Sequence, residues 1–188
     1  MRHVEVRRHT MRTKCGQHLS VAGIQLARRV GQRLGMFDLV ITSTVPRAFE
    51  TAVAMGFVVD EQLDQLSMMG SAVDAEIRWP ASFAEFARAI SQGGATARFA
   101  EAQATLWRSI VQRLPHGGQA LVITHGGIVE AGTVACLPDA DHRVWGEHCD
   151  YCEGVRLGFD GEQFTQVQVL RVKRATQMNG DGSVANGT

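Results

Sequence analysis

Three short apolar segments, rich in β-branched residues, limit what this chain can fold into more than any other feature. They are residues 4–6, 39–42 and 120–124, and helix-like stretches lie between them. Continuous apolar runs of this length are typical of strands buried on both faces of a parallel sheet. Since strands alternate with helices, the sequence predicts an α/β fold with a mostly parallel sheet.

The helix and hairpin signals between and after these strands are of several kinds. Ser20 is a predicted N-cap, Gly35 a predicted stop, and Pro46 suits a first helical position. Asp160-Gly161 is a strong signal for a terminal hairpin. Helices are predicted at residues 20–34, 46–55, 83–90, 96–114 and 127–135, and the hairpin strands at 154–159 and 163–172.

Length and composition predict one ordinary domain. The chain has 188 residues, which suits a single domain over residues 1–174, followed by a Gly- and Asn-rich flexible tail at 175–188. Nineteen basic residues balance nineteen acidic ones, so neither nucleic acid nor a membrane surface is an expected partner. No apolar run approaches the roughly 20 residues of a membrane span. Four scattered cysteines and the lack of a signal peptide indicate a cytoplasmic protein.

Polar residues follow each of the three predicted strands. The first strand runs into Arg8-His9, the second ends at Ser43 shortly before Arg47, and the third ends at His125. Ligands of open parallel sheets bind beyond the carboxyl ends of the strands. If these strands are neighbours, two imidazoles and two guanidiniums converge, which suits a dianionic phosphoryl group.

Each of these residues has a role that its chemistry allows. A neutral imidazole can attack phosphorus and carry the phosphoryl group covalently, whereas arginine forks grip phosphate oxygens. A protonated His125 would add a charge-assisted donor. Thr10 and Gly126 are candidate substrate-binding residues, because backbone N–H groups near helix N-termini favour anions.

Four motifs, in order, resemble the histidine phosphatase (phosphoglycerate mutase-like) superfamily over most of the chain. They are Arg8-His9-Thr10, Leu19-Ser20-Val21-Ala22-Gly23, Ser43 through Arg47-Ala48-Phe49-Glu50-Thr51-Ala52, and Thr124-His125-Gly126-Gly127. The resemblance implies His9 as nucleophile, with Arg8, Arg47 and His125 binding phosphate and no metal or organic cofactor. It also implies a three-layer α/β/α sandwich, with an insertion of about residues 63–94 forming a reduced cap.

One departure from the family pattern concerns the general acid. Where many members carry a glutamate, this chain has Gln65, which cannot deliver a proton. Glu76 is the residue that we assign to catalysis here. Asp74 ranks about equally, Asp64 is a third candidate, and Glu130 is a weaker one. Without any acid, the enzyme would favour good leaving groups such as phosphohistidine, acyl, pyro- or aryl phosphates.

Several alternatives stay open at this stage. The substrate is a phosphorylated small molecule or a phosphoprotein, and the oligomeric state is open, with a homodimer as one alternative. A mutase-type phosphoryl transferase would need more cap cations than Arg78 and Arg88, and a non-catalytic phosphate-binding module would not need His9. A segment with Cys149 and Cys152 is a weak zinc candidate. Several apolar cap residues could line a pocket or form a small core; they are Met68, Met69, Trp79, Phe83 and Phe86.

Overall fold

All the predicted strands occur in the computed structural model, which describes residues 1–172. The strands are β1 (Arg2–Arg8), β2 (Leu39–Ser43), β3 (Glu61–Leu63), β4 (Gln119–Thr124), β5 (Gly154–Phe159) and β6 (Phe164–Leu170). They form one sheet in the order β3-β2-β4-β1-β5-β6. The first four strands in this order are parallel, and the β5–β6 hairpin is antiparallel. The predicted mostly parallel sheet is therefore confirmed.

Six helices connect these strands. They are α1 (Val21–Gly31), α2 (Pro46–Met55), α3 (Ser71–Glu76), α4 (Phe83–Ser91), α5 (Ala95–Gln112) and α6 (Ile128–Cys136). Two 3-10 helices, Asp64–Leu66 and His142–Trp145, add short turns. Ser20 caps α1 by accepting a hydrogen bond from Gly23 N–H, and Pro46 opens α2 as predicted. The first helix ends at Gly31, before the predicted stop at Gly35.

The helices cover the two faces of the sheet, which makes the fold a three-layer α/β/α sandwich. On one face, α1 and α2 bury Ala27 and Ala48 against strand residues such as Leu121. On the other face, α4, α5 and α6 bury Trp107 and Ile128 against the sheet. Fully burying a side chain of this size contributes roughly 1.5–3 kcal/mol. The strands are thus held rigidly, and their carboxyl ends are fixed relative to one another.

The predicted cap region, residues 63–94, is partly regular. It contains the first 3-10 helix, α3 and α4, and the sequence pattern did not predict α3. Phe83 and Phe86 of α4 are fully buried in the core, so these two residues support the core rather than a pocket. The predicted tail, residues 175–188, lies outside the described residues. Over the described part, no helix is long and apolar enough to cross a bilayer.

Candidate active site

The carboxyl ends of three neighbouring strands bring the predicted polar residues together. Central strand β4 lies between β1 and β2, with Arg8 paired to Thr124 in the register. The backbone N–H of His9 donates to the Thr124 carbonyl over 2.8 Å. As a result, the rings of His9 and His125 lie edge to face with their centroids 5.0 Å apart.

The tautomer of His9 follows from its hydrogen bonds. Its Nδ1 lies 2.6 Å from the Thr10 carbonyl oxygen, which can only accept, so Nδ1 carries the proton. The other ring nitrogen, Nε2, accepts a hydrogen bond of 3.0 Å from Arg47 Nε. His9 therefore presents a lone pair on Nε2 to the site, which is the form that a nucleophilic imidazole needs.

Arg47 bridges both imidazoles. Besides His9, its Nη2 atom donates to His125 Nδ1 over 3.1 Å, and its Nη1 atom donates to Gln17 Oε1 over 3.0 Å. Since Nδ1 of His125 accepts, its Nε2 carries the proton and donates to Ser43 Oγ, 2.8 Å away. Ser43, the last residue of β2, thus orients the His125 ring.

The electrostatics keep both imidazoles neutral. Burial lowers the pKa of His9 to about 3, and the charges of Arg47, Arg8 and Arg12 act in the same direction, against the hydrogen bond to Thr10. Burial likewise lowers the pKa of His125 to about 3, helped by His9 and the two arginines. His125 is therefore neutral in the free enzyme at neutral pH. To act as a charged donor it must gain a proton, either from the ligand or because a bound anion raises its pKa.

Arg8 is held between two aromatic rings. Its guanidinium carbon lies 4.3 Å from the centroid of Tyr151 and 5.2 Å from that of Trp79. Its Nη1 atom donates to the Cys149 carbonyl over 3.1 Å. The same Nη1 atom lies 3.6 Å from the Asp150 carboxylate, and the buried Nε atom has no hydrogen-bond partner among the described residues.

The buried carboxyl group of Glu130 holds the backbone near His125 and Arg8. Glu130 is fully buried near the start of α6 and accepts hydrogen bonds from Gly127 N–H (2.7 Å) and Cys149 N–H (2.6 Å). Burial raises its pKa to about 7, although these hydrogen bonds oppose the shift. Because the carbonyl of the same residue, Cys149, accepts from Arg8, Glu130 helps to position the loop that holds Arg8.

A cavity of about 400 Å³ opens beside Arg47 and His125. Its wall combines apolar side chains, two serines and one carboxyl group, and it includes Met68, Met69, Trp79, Ile128, Asp74 and Gly126. The Trp79 indole packs so closely on Gly126 that a Cβ there would clash with the indole ring. Of the apolar cap residues, Met68, Met69 and Trp79 therefore line a pocket.

The carboxylates considered as general acids occupy different places. Glu76 does not reach the cluster, because its carboxylate accepts hydrogen bonds from Ala95 N–H, Thr96 N–H and the Thr96 hydroxyl at the start of α5. The hydrogen bonds from Thr96 and Ala95 also lower its pKa. This placement corrects the expectation that Glu76 is catalytic: it caps a helix. Asp64 accepts from the Thr44 hydroxyl, and Asp74 alone of the candidates lines the cavity.

The two predicted backbone ligands also differ in their placement. Thr10 is fully buried, its hydroxyl donates to the Gly23 carbonyl, and its N–H donates to the Thr51 hydroxyl. Both groups are therefore used within the protein, and Thr10 contributes to the site through the carbonyl that orients His9. Gly126 lines the cavity, and its substrate-binding role stays a prediction.

The sequence did not predict two contacts at the site, that of Tyr151 with Arg8 and that of Gln17 with Arg47. The Tyr151 ring stacks on Arg8 and lies 6.0 Å from the His9 ring. Its only sequence signal is its place just before the hairpin strand next to β1. The zinc alternative finds no support in the described part of the chain, where no three His, Cys, Asp or Glu side chains gather as ligands.

Known proteins that resemble this chain were compared by sequence and by structure. The model of the histidine phosphatase superfamily (branch 1) matches residues 1–171. No curated protein matches the sequence significantly. Among solved structures, phosphoserine phosphatase from Entamoeba histolytica has a TM-score of 0.68 at 15% identity, covering 92% of this chain and 98% of its own.

Two further structures show the same fold. Mycobacterial glucosyl-3-phosphoglycerate phosphatase has a TM-score of 0.67 at 19% identity and covers 92% of this chain and 100% of its own. A putative alpha-ribazole-5'-P phosphatase from Escherichia coli has a TM-score of 0.63 at 18% identity, with 92% and 98% covered. At these identities the structures show the fold, and the family match spans nearly every described residue. The chain is therefore an enzyme of the histidine phosphatase superfamily, branch 1.

Proposed function

We propose that this enzyme hydrolyses a phosphorylated substrate through a covalent phosphohistidine on His9. The observation that carries the proposal is the Arg47 bridge, which joins the Nε2 lone pair of His9 to the Nδ1 lone pair of His125. A phosphoryl group placed between the two rings would take over these hydrogen bonds. Its oxygens would then meet Arg47, Arg8 and His125 while phosphorus faces His9 Nε2.

The first step forms a bond between His9 Nε2 and phosphorus and breaks the bond from phosphorus to the leaving oxygen. The positive charge that develops on the ring is shared with the Thr10 carbonyl through the Nδ1–H bond. The arginines and His125 stabilise the equatorial oxygens, where preorganised charge has its largest effect. In the second step a water oxygen attacks phosphorus, the bond to Nε2 breaks, and phosphate leaves.

Asp74 is our proposed general acid, in place of Glu76. It lines the cavity that Arg47 and His125 border, and we propose that the leaving oxygen enters this cavity. As an acid it gives its proton to the leaving oxygen, and as a carboxylate it takes a proton from the attacking water. Gln65 cannot perform this role, and it is exposed.

Hydrolysis fits the cap better than the mutase alternative. A mutase must hold a phosphorylated acid while it turns, which requires cations around the leaving group. Arg78 and Arg88 instead line a separate cavity together with Glu76 and Glu85. The intact His9, with its lone pair available, also favours catalysis over a module that only binds phosphate.

The structural relatives support a small phosphorylated substrate, since the compounds named for them are phosphoserine, glucosyl-3-phosphoglycerate and alpha-ribazole-5'-P. A phosphoprotein is the alternative. We further propose a cytoplasmic setting, which is supported by four unpaired cysteines, three of them buried.

Turnover in ¹⁸O-labelled water tests the proposed reaction. With an aryl phosphate, we expect inorganic phosphate that contains one water oxygen per turnover, and no such product from His9→Asn. Transfer of phosphoryl to an added alcohol with no release to water would support the mutase instead. Phosphate binding by the wild type without any turnover would support the binding module.

A further inference from the structure

The leaving-group cavity differs in charge from the phosphate site beside it. Among the described residues, Arg47 is the only cationic side chain that lines this cavity, and its three nitrogens already point at His9, His125 and Gln17. The cavity's one acidic side chain is that of Asp74. A second anionic group on the substrate would therefore meet no free cation, and the Asp74 carboxyl offers it no positive charge in either protonation state.

The rest of the wall combines the side chains of Ser67 and Ser71 with apolar groups. Met68 is 73% exposed, and Met69 and Trp79 continue the same apolar surface, whereas Ile128, which also borders the cavity, is fully buried. Methionine and tryptophan side chains make favourable contacts with flat or irregular apolar groups. Covering such an apolar surface with an apolar group of the substrate removes it from water, which favours binding.

Trp79 is held firmly enough to form a fixed wall. Its indole packs on the Gly126 backbone, meets the His148 ring edge to face at 5.0 Å, and has the Arg8 guanidinium over its ring. Trp79 thus contacts Arg8, which is a proposed phosphate-binding residue. A leaving group that packs on Trp79 would therefore lie next to a phosphoryl group bound by Arg8.

On these grounds we infer that the substrate is a phosphomonoester whose leaving group is uncharged and apolar or aromatic, and that Met68 and Trp79 select it. The inference rests on the proposed function, because it describes the alcohol released when the phosphoryl group moves to His9. It sets this enzyme apart from one that acts on phosphorylated carboxylic acids.

A pair of substrates of equal shape tests the charge preference. They are 4-carbamoylphenyl phosphate, whose leaving group is neutral, and 4-carboxyphenyl phosphate, whose leaving group carries a carboxylate. We expect kcat/KM to be at least about tenfold higher for the neutral compound. Ser71→Lys, which places a cation on the cavity rim, should shrink this ratio several-fold, whereas Ser91→Lys at the exposed end of α4 should leave it unchanged.

A pair of variants, assayed with one apolar substrate, tests the apolar wall. With 1-naphthyl phosphate, Met68→Ser should lower kcat/KM about threefold to tenfold, because part of the apolar contact is lost. Met36→Ser is the matched control, since Met36 is 90% exposed and does not line the cavity. Both methionines lie on the surface, so neither change should prevent folding.

The outcomes separate this inference from the proposed function. Equal kcat/KM for the two matched substrates, or a preference for the carboxylate, would overturn the inference while phosphoryl transfer through His9 still stands. An unchanged kcat/KM in Met68→Ser would also overturn the assignment of that wall. Hydrolysis of these substrates at wild-type rates by His9→Asn would instead contradict the proposed function.

Discussion

Arg47 Nε donates to His9 Nε2 over 3.0 Å, so the guanidinium covers the atom that we expect to attack phosphorus. A substrate must displace this contact, and Arg47 then turns from a ligand of two imidazoles into a ligand of the phosphoryl oxygens. The free enzyme therefore holds Arg47 next to both rings before the substrate arrives, so that the guanidinium has only to exchange two ring nitrogens for phosphoryl oxygens.

Replacing this fork should be costly. In Arg47→Lys the charge is kept, but a lysine cannot contact both rings and two oxygens at once. We expect kcat/KM to fall roughly 100-fold or more, as for other preorganised donors to a transferring group. Arg143→Lys, at an exposed arginine that pairs with neighbouring Asp141, is the control. An Arg47→Lys enzyme with wild-type kcat/KM would contradict the role of the bridge.

The low pKa of His125 predicts how anion binding depends on pH. In the free protein the pKa is lowered to about 3, so His125 is neutral at pH 5.5–7.5. A bound dianion raises that pKa, so binding takes up a proton and the affinity increases as the pH falls. Sulfate is a suitable probe, because it does not titrate in this range. Its Kd should decrease by up to about tenfold per pH unit.

His125→Gln is the variant that makes this pH dependence specific. It keeps a polar side chain next to Ser43 but cannot take up a proton. Calorimetric titration with sulfate should give a much weaker dependence of Kd on pH in this variant. If both proteins show the same dependence, the proton goes elsewhere and the assignment is wrong.

Glu130 should couple stability to pH in the opposite direction to the histidines. Its pKa is raised in the folded protein from 4.5 to about 7, so the folded state binds the proton more tightly than the unfolded chain. The stability from this group is present below pH 4.5 and is lost as the pH rises to 7. The loss amounts to about 3 kcal/mol at most.

Urea unfolding of the wild type and Glu130→Gln at pH 4.5 and pH 8 isolates this effect, since the histidines titrate equally in both proteins. The free energy of unfolding of the wild type, relative to the variant, should fall between these pH values. A difference that stays constant would show that the Glu130 carboxyl titrates normally in the fold.

Asp74 as general acid predicts a dependence on the leaving group. Asp74→Asn should lower kcat/KM strongly, about 100-fold, for an alkyl phosphate, whose oxygen needs a proton to leave. For 4-nitrophenyl phosphate, whose leaving group departs unaided, the loss in the first step should be small. Glu76→Gln is the comparison variant and should affect stability through the α5 cap instead. Equal losses of kcat/KM for both substrates would contradict the assignment of Asp74 as the general acid.

The convergence of His9, Ser43, Arg47 and His125 could be predicted from the sequence because each follows a buried strand. Apolar β-branched runs determine the strands, and parallel neighbours end at the same edge of a sheet. The motif order then makes the chemistry specific. The helix-start signals at Ser20 and Pro46 were equally local and also correct.

What the sequence could not predict depends on contacts between distant segments. Glu76 accepts a hydrogen bond at the start of α5, and the Thr10 hydroxyl donates to the Gly23 carbonyl. No sequence motif near either residue indicates these contacts. Tyr151 reaches Arg8 only because β5 pairs with β1. The general acid lay in the least periodic part of the chain, where the pattern did not indicate even the helix that carries Asp74.

The proposed mechanism depends most on a phosphoryl group carried by His9. A reactive substrate such as 2,4-dinitrophenyl phosphate, labelled with ³²P, should charge the enzyme quickly, and quenching in alkali preserves phosphohistidine. Peptide mass spectrometry of the quenched wild type should place the label on His9, and folded His9→Asn that still binds sulfate should carry none. A label on another residue, or wild-type turnover with no labelled enzyme at any quench time, would contradict the account.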